Sequence, residues 1–574
     1  MKVCIVGGVA GGATAAARLR RLSEETEIII FERTAHISYA NCGLPYYIGG
    51  DIADKEELTL QTPESFRKWF AADVRTRHEV IRINPAEKTL EVKNLEDGTV
   101  YTESYDKLIL SPGTKASLPP VYGLDCPNIF TLRTVEDALL LRGFLETAKP
   151  KTAVIIGGGF IGLEVAENLV RAGVETTLIL RGSQVLPPLD FDMASGVHSY
   201  LRENGVTVRF RETLEGFSSA DGGLLVHCKD REPLSADMVI LAVGVTPDTA
   251  LAKAAGLALG DKDSILVDDF LRTSDLDIYA VGDAVTVRNS VSRREALISL
   301  AGPANRQGRW AADNIMGRNR PYRGAAAVSV IKLFDMTVAS AGLNEKACRD
   351  SGILFDKVVL HPSSHASYYP GAQSMTMKVL FAPADGRILG AQIVGFDGVD
   401  KRIDVLAAAV QAGMTAADLE ELDLAYAPPY SSAKDPVNLA GYLIENIRTG
   451  LLVQFHHDMI PKIAEMEDAV ILDIRTPAEF ARGHIAGSVN LSFFELRTRL
   501  GELNPAKRYF LICQSGYRSY MACRILKEQG ITASHLCGGY QFYSYVYCGE
   551  CYSPDACLCV KGEYFFFRVI LPLF

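Results

Sequence analysis

The chain has 574 residues, too long for one hydrophobic core, so three or four domains are expected. Its 48% hydrophobic and 22% charged content is that of an ordinary soluble globular protein, and a net charge of −10 argues against a general binder of nucleic acid or membrane surface. Twelve cysteines in so long a chain do not make a disulfide-stapled secreted scaffold, and the first predicted strand begins at Lys2, leaving no signal peptide, so a reducing cytoplasm is expected.

Lys2 to Val6 reads as a short apolar strand, followed by Gly7-Gly8-Val9-Ala10-Gly11-Gly12 and an Ala-rich helix to about Leu22. A second strand, Glu27 to Phe31, ends at Glu32. Strand, Gly-rich turn, helix, strand and terminal acid make a dinucleotide-binding unit. Gly7 and Gly12 let a pyrophosphate approach the helix N-terminus, and Glu32 can accept from ribose hydroxyls. Val9 stands where the middle glycine is expected.

Shortly beyond lies Ile37-Ser38-Tyr39-Ala40-Asn41-Cys42-Gly43-Leu44-Pro45-Tyr46. A thiol just behind such a unit can meet a bound flavin. A disulfide reductase would carry a second cysteine five residues later, where this chain has Tyr47. The redox partner of Cys42 is therefore expected to be the sulfur of a substrate.

A second unit follows: strand Thr152 to Ile156, Gly157-Gly158-Gly159-Phe160-Ile161-Gly162, a helix from Leu163 to about Ala172, and strand Thr176 to Leu180. Gly157, Gly159 and Gly162 have the full spacing. Two units suggest two dinucleotides with electrons passing between them. Arg181 follows the second strand in place of an acid; it suits a 2′-phosphate and NADPH, although a solvated surface arginine fits equally well. The first domain reads as discontinuous, 1–115 with 241–320, around an inserted 116–240. Its return contains Ala280-Val281-Gly282-Asp283, a strand end whose Asp283 can bind flavin ribityl hydroxyls. Residues 325–447 mix strands (Val328 to Phe334, Met375 to Phe381) with a helix from Lys401 to Gln411 and look like a third, α+β domain.

The pattern breaks from Leu452 to Ala464, which suggests a linker, and a fourth module spans 455–546. In it the strands Val470 to Arg475 and Tyr509 to Ile512 lead to Glu479 to Ile485 and to Cys513-Gln514-Ser515-Gly516-Tyr517-Arg518-Ser519. A thiol at a strand-to-helix loop meets inward-facing N–H groups that stabilise its thiolate.

On these motifs, together with Ser367-Tyr368-Tyr369-Pro370-Gly371 and Ala425-Tyr426-Ala427-Pro428-Pro429-Tyr430, the first 450 residues resemble the pyridine nucleotide–disulfide oxidoreductases, in particular the coenzyme A-disulfide reductase branch. Residues 455–546 resemble a rhodanese domain through Asp473-Ile474-Arg475, Gly483-His484-Ile485, the Cys513 loop and Gly538-Gly539-Tyr540. The implied fold is α/β: two Rossmann-like dinucleotide-binding domains, for FAD and for NAD(P)H, an α+β dimerisation domain, and a C-terminal α/β rhodanese domain. The implied activity is reduction of coenzyme A disulfide, a persulfide or a polysulfide by NADPH or NADH through FAD and Cys42, which would form a mixed disulfide with coenzyme A. Tyr368 and Tyr426 match family tyrosines that reach the partner subunit's cysteine, which implies a homodimer. Thr14, Arg18, Arg21, Ser38, Asn41, Asn305 and Lys434 match positions that contact coenzyme A. Arg18 and Arg21 share one helix face; a solvated face, or pairing with acids of the third domain, is the plainer reading. The Cys513-to-Arg518 spacing is the shorter loop of sulfurtransferases, with Cys513 as persulfide carrier.

Two other functions compete: an NADH oxidase working through a Cys42 sulfenic acid, and a sulfur carrier or sensor that does not reduce anything. The tail 547–574 departs from the family. It carries Cys548, Cys551, Cys557 and Cys559, whose spacing continues poorly as a zinc site, so no metal is assigned. Its apolar run is too short to span a membrane and contains Arg568 and Pro572.

Overall fold

The structure, a computed structural model, describes residues 1–220 and 222–547. The tail cysteines and the apolar run lie outside the described residues. The chain forms two compact units: Met1–Ser183 with Gly205–Ala327, and Gln184–Asn204 with the chain from Val328 onward.

The first unit holds two five-stranded parallel sheets. One runs Ile278–Ala280, Lys107–Leu110, Lys2–Val6, Glu27–Glu32, Asp73–Thr76; the other runs Val206–Arg209, Glu175–Ile179, Thr152–Ile156, Met238–Leu241, Ile129–Phe130. Their inner strands are apolar and buried almost throughout, as a sheet covered on both faces demands. The return of the chain to the first sheet through Ile278–Ala280 is direct, pairing with Lys107–Leu110. The second glycine turn opens its helix at Phe160, not Leu163, because Gly159 is the N-cap and Phe160 is already helical.

The second unit contains an antiparallel sheet, Ser329–Leu333, Met336–Gly342, Ile388–Gly395, Thr376–Phe381, Asp356–Leu360, with the helix Val399–Ala412 packed on it. It also contains a parallel sheet, Gln454–Phe455, Ala533–Leu536, Arg508–Ile512, Ala469–Asp473, Val489–Asn490. The stretch expected as a linker is thus part of the fourth module: Gln454–Phe455 is an edge strand and Ile460–Ala464 a helix. Two residues are too few to show a period of two. Pro461, which reads as a breaker, is tolerated in the first turn.

Lys378 is fully buried in the antiparallel sheet. Its Nζ lies 2.9 Å from Asp190, 2.7 Å from Asp192 and 2.7 Å from Glu345. The carboxylates are close enough to hold a cation, and the ammonium already supplies it. Asp190 and Asp192 belong to the start of the helix Phe191–Glu203, so this cluster fastens that helix to the sheet. Burial works against ionised Glu345, but Lys378 and Lys357 hold it down at about 2.

Lys378→Ala strands buried carboxylates and should lower unfolding free energy by about 3–5 kcal/mol at pH 7 in urea denaturation. The difference should shrink toward pH 4. The variant's unpaired carboxylates take up protons there, while those of the wild type stay ionised and lose their stabilising contribution only as pH falls from the ordinary carboxyl range toward about 2.

Candidate active site

Both glycine turns are shaped for a phosphate group. Gly7 has φ +97°, and a Cβ there would sit 2.1 Å from Ser111 O; one on Gly12 would sit 1.9 Å from Gly7 O. Gly157 and Gly162 are equally tight, whereas a Cβ on Gly159 would meet nothing within 4 Å, leaving open space over the turn. Neither helix, Ala10–Leu22 or Phe160–Arg171, has a side-chain N-cap bond or an acid in its first turn. Their N-termini thus keep unshared N–H groups for an anion. Glu32 is buried and accepts from Gly8 N–H at 2.9 Å and from Thr34 N–H at 2.9 Å, keeping lone pairs for hydroxyls. Arg181 is exposed.

Cys42 is exposed, in the 3₁₀ turn Asn41–Gly43 just ahead of the helix Leu44–Gly49. Tyr47, at the position of a second cysteine, is buried with Arg142 stacked 4.4 Å from its ring centre. Burial by the surrounding walls, then Glu164 and Asp283, push the Cys42 thiol up; Arg133 pulls it down. Glu164 is itself pushed up to about 7 by burial, against the opposing hydrogen bond from Tyr46 (3.3 Å) and helped by Glu167. Asp283 is raised by burial and steadied by Arg133 at 3.1 Å. Arg133 also lies against Asn41, whose amide in one orientation donates to Arg133 O at 3.0 Å.

Of the residues matched to coenzyme A, Thr14 donates to Asn305 Oδ1 at 2.6 Å. Ser38 has φ +44° and gives its N–H to Gly8 O at 2.9 Å. Arg18 is engaged with the buried Asp313 at 2.7 Å, while Arg21 on the same helix is exposed. The acid Arg18 meets belongs to the first unit's own helix Ala301–Ile315, not to the third domain. In the second unit Lys434 is exposed, and the hydroxyls of Tyr368 and Tyr426 meet at 2.7 Å.

Cys513 is buried at the end of Arg508–Ile512. Its Sγ accepts from Gly516 N–H at 3.1 Å and lies 3.3 Å from Ser519 Oγ. Gly516, at φ +102°, turns the loop into the helix Tyr517–Glu528. Arg518 makes a two-pronged pair with Glu479 at 2.9 and 2.6 Å. Burial opposes ionisation of Glu479, but Arg518 and Thr476 hold it at about 2. The sequence alone does not point to Arg133, Glu164, Ser519 or His535, whose Nδ1 lies 3.5 Å from Ser519 Oγ. Ser519 was inside the quoted loop; the others have no local signal, since only folding brings them to the thiols.

Paired dinucleotide turns, an exposed thiol beside them and a separate sulfur-type loop define a nicotinamide- and FAD-dependent oxidoreductase of the sulfur-reducing class, fused to a rhodanese module. The chain belongs to the pyridine nucleotide-disulphide oxidoreductase family: the family model matches residues 1–308, its dimerisation domain 328–436, and a rhodanese-like domain 458–544. It is 37% identical over 442 residues to a coenzyme A disulfide reductase of Staphylococcus haemolyticus, covering 77% of this chain and 98% of that one. Reduced CoADR-RHD of Bacillus anthracis superposes with TM-score 0.93 at 46% identity, over 95% of this chain and 98% of that one. A NAD-dependent persulfide reductase from A. fulgidus superposes with TM-score 0.88 at 36% identity, over 94% and 100%. Among the described residues no helix is long and apolar enough to cross a membrane.

In flavin-free protein, iodoacetamide should label Cys42 with a pH midpoint above that of an ordinary thiol, read peptide by peptide in a mass spectrometer. Glu164→Gln removes the stronger of the two repelling carboxylates and should lower that midpoint. An unchanged midpoint would show that Glu164 does not set the thiol, leaving burial and Asp283.

Proposed function

We propose that this chain reduces sulfur–sulfur bonds of coenzyme A disulfide, coenzyme A persulfide or polysulfide at the expense of NADH or NADPH, through Cys42. The observation that carries this reading is the exposed, singly placed Cys42 beside a dinucleotide turn, with buried Tyr47 where a second thiol would stand. The full-length likeness to a persulfide reductase and to CoADR-RHD supports it.

Gly7, Gly12, Glu32 and Asp283 would hold FAD, and Gly157, Gly159, Gly162 and exposed Arg181 the nicotinamide dinucleotide. FAD, when bound, relays the two electrons of a hydride to sulfur. Cys42 as thiolate attacks the substrate's sulfur–sulfur bond, keeps coenzyme A or sulfur as a mixed disulfide or persulfide, and expels a thiol or sulfide. The carboxylates around Cys42 disfavour its thiolate, so Arg133 and the electron-poor ring of bound oxidised FAD would have to offset them. Glu164, poised near neutrality, can hold or pass the proton of a leaving thiol. The hydroxyl pair Tyr368–Tyr426 would assist the leaving thiolate in the partner subunit of a homodimer. Thr14, Ser38, Asn41, Asn305 and Lys434 would bind coenzyme A with Arg21, Arg18 being committed to holding its helix against Asp313. Cys513, with Arg518 braced by Glu479, would carry sulfane sulfur as a persulfide. A reducing cytoplasm, where thiols persist, would suit this chemistry.

Anaerobic oxidation of NADH and NADPH with the three sulfur substrates compared is the direct test. Cys42→Ser should keep FAD and lose turnover with all three; full persulfide reduction by the serine variant would sink the reading.

Arg21→Glu should raise KM for coenzyme A substrates about tenfold or more, the loss of one charge-assisted contact. It should leave small polysulfides nearly unaffected. Equal loss for both classes would mean that Arg21 does not touch coenzyme A.

A further inference from the structure

Cys537 is 3% exposed and takes part in no step above. It follows the strand Ala533–Leu536 directly, just as Cys513 follows Arg508–Ile512. The two strands are parallel neighbours with Leu511 opposite His535. A step of two residues along each returns to the same sheet face, which puts Cys513 and Cys537 on one face at the ends of adjacent strands. His535 marks that face: its Nδ1 is 3.5 Å from Ser519 Oγ, which lies 3.3 Å from Cys513 Sγ. The turn after Cys537 is fastened to the Cys513 loop. Tyr540 N–H donates to Cys513 O at 2.8 Å, and a Cβ on Gly539 would sit 2.7 Å from that oxygen. Adjacent strands lie about 4.8 Å apart, within the Cα separation of about 4.4–6.8 Å that a disulfide accepts.

The surroundings of Cys537 are those of a reactive sulfur. Its Sγ accepts from Val359 N–H at 3.2 Å. His456 lies beside the same sulfur, and its Nε2 meets Asp356 Oδ1 at 3.0 Å. Asp356 is oriented by Lys357 N–H at 2.8 Å and Gln454 Nε2 at 3.2 Å. Burial opposes protonation of His456, yet Asp356 and Cys537 raise it to about 9, so it is an imidazolium at neutral pH. Cys523, on the helix behind the same loop, is the contrast: burial pushes that thiol up to about 12.

We propose that Cys537, aligned by His456 and Asp356, is the resolving thiol for sulfur carried on Cys513. This rests on the reading of Cys513 as a persulfide carrier. Thiosulfate and the Cys513 thiolate give the Cys513 persulfide and sulfite. The Cys537 thiolate then attacks Cys513 Sγ. The bond from Sγ to the outer sulfur breaks, and a Cys513–Cys537 disulfide forms. The outer sulfur leaves with the bonding pair, takes a proton from water and departs as hydrosulfide. The sulfane sulfur gains two electrons, and the two cysteine sulfurs supply one each. A small-molecule thiol resets the disulfide. Asp356 and His456 are positioning residues, acting through Cys537.

The test uses the full-length holoenzyme, reduced, desalted and treated anaerobically with thiosulfate without added thiol or NAD(P)H. The wild type should release sulfite and then sulfide in comparable amounts, and peptide mapping should find Cys513 linked to Cys537. Cys537→Ala should release sulfite alone and retain the added mass of one sulfur on Cys513. His456→Gln should leave the sulfite burst intact and slow sulfide release by about tenfold or more. Wild-type sulfite release without sulfide, and with Cys537 still free, overturns this inference and leaves Cys513 as a simple carrier. Absence of sulfite overturns the Cys513 reading and this inference with it. Because the wild type alone separates these results, misfolding of a variant does not blunt the test.

Discussion

A parallel sheet forces every strand to hand the chain on at its carboxyl end, and the chemistry of this protein is placed by that constraint. Gly7 and Gly157 each follow the last residue of a parallel strand, Val6 and Ile156. Asp283 stands just past Ile278–Ala280, and Cys513 and Cys537 follow Ile512 and Leu536. The strand interior supplies rigidity through buried aliphatic side chains. Its end supplies a sharp turn and then, at Gly7, Gly157 and Cys513, the open N-terminus of a helix. Glycine is needed where the turn leaves the allowed region for other residues, as at Gly7 and Gly516.

Buried charge follows a second rule: it is paired or it is absent. Arg475 is closed on Asp473 at 2.7 Å and donates to Gly483 O at 2.7 Å, which ties the start of the fourth module's first loop to its strand. Arg18 is closed on Asp313, Lys378 on three carboxylates, and Arg518 on Glu479. A cation neutralised in this way orders structure more than it attracts a ligand. That distinguishes Arg18 from Arg21, two residues that the helix repeat alone makes equivalent.

The strand–turn–helix units, the third domain's strands and the Cys513 loop were legible because each is a local pattern in the sequence: an apolar run, a glycine spacing, a change of period. The boundaries slipped where the pattern was short. Gln454–Phe455 forms an edge strand only because Ala533–Leu536 is beside it, and nothing within two residues can announce that. Arg133 reaches Asp283 across 150 positions, and Cys537 meets His456 through strand pairing. The same limit applies to the helix Phe191–Glu203. It reads as part of the second nucleotide domain by its place in the chain, yet its capping acids belong energetically to Lys378.

The thiols differ in what the protein provides for them. Cys513 receives a backbone N–H from Gly516, and Cys537 one from Val359 with an imidazolium beside it. These donors are fixed in the fold and stand in place before any substrate arrives. Cys42 faces the opposite field. Its walls and two carboxylates oppose a thiolate, and only Arg133 favours one. An exposed thiol kept protonated in this way is protected from idle oxidation, because the thiolate is the form that oxidants attack. In the proposed reaction it would become a nucleophile when binding changes its surroundings, by bringing the electron-poor flavin ring against it or by covering Asp283 and Glu164. The proposed reaction would then divide the work: sulfur accepted where the fold itself supplies the donors, and reduced where bound groups supply them.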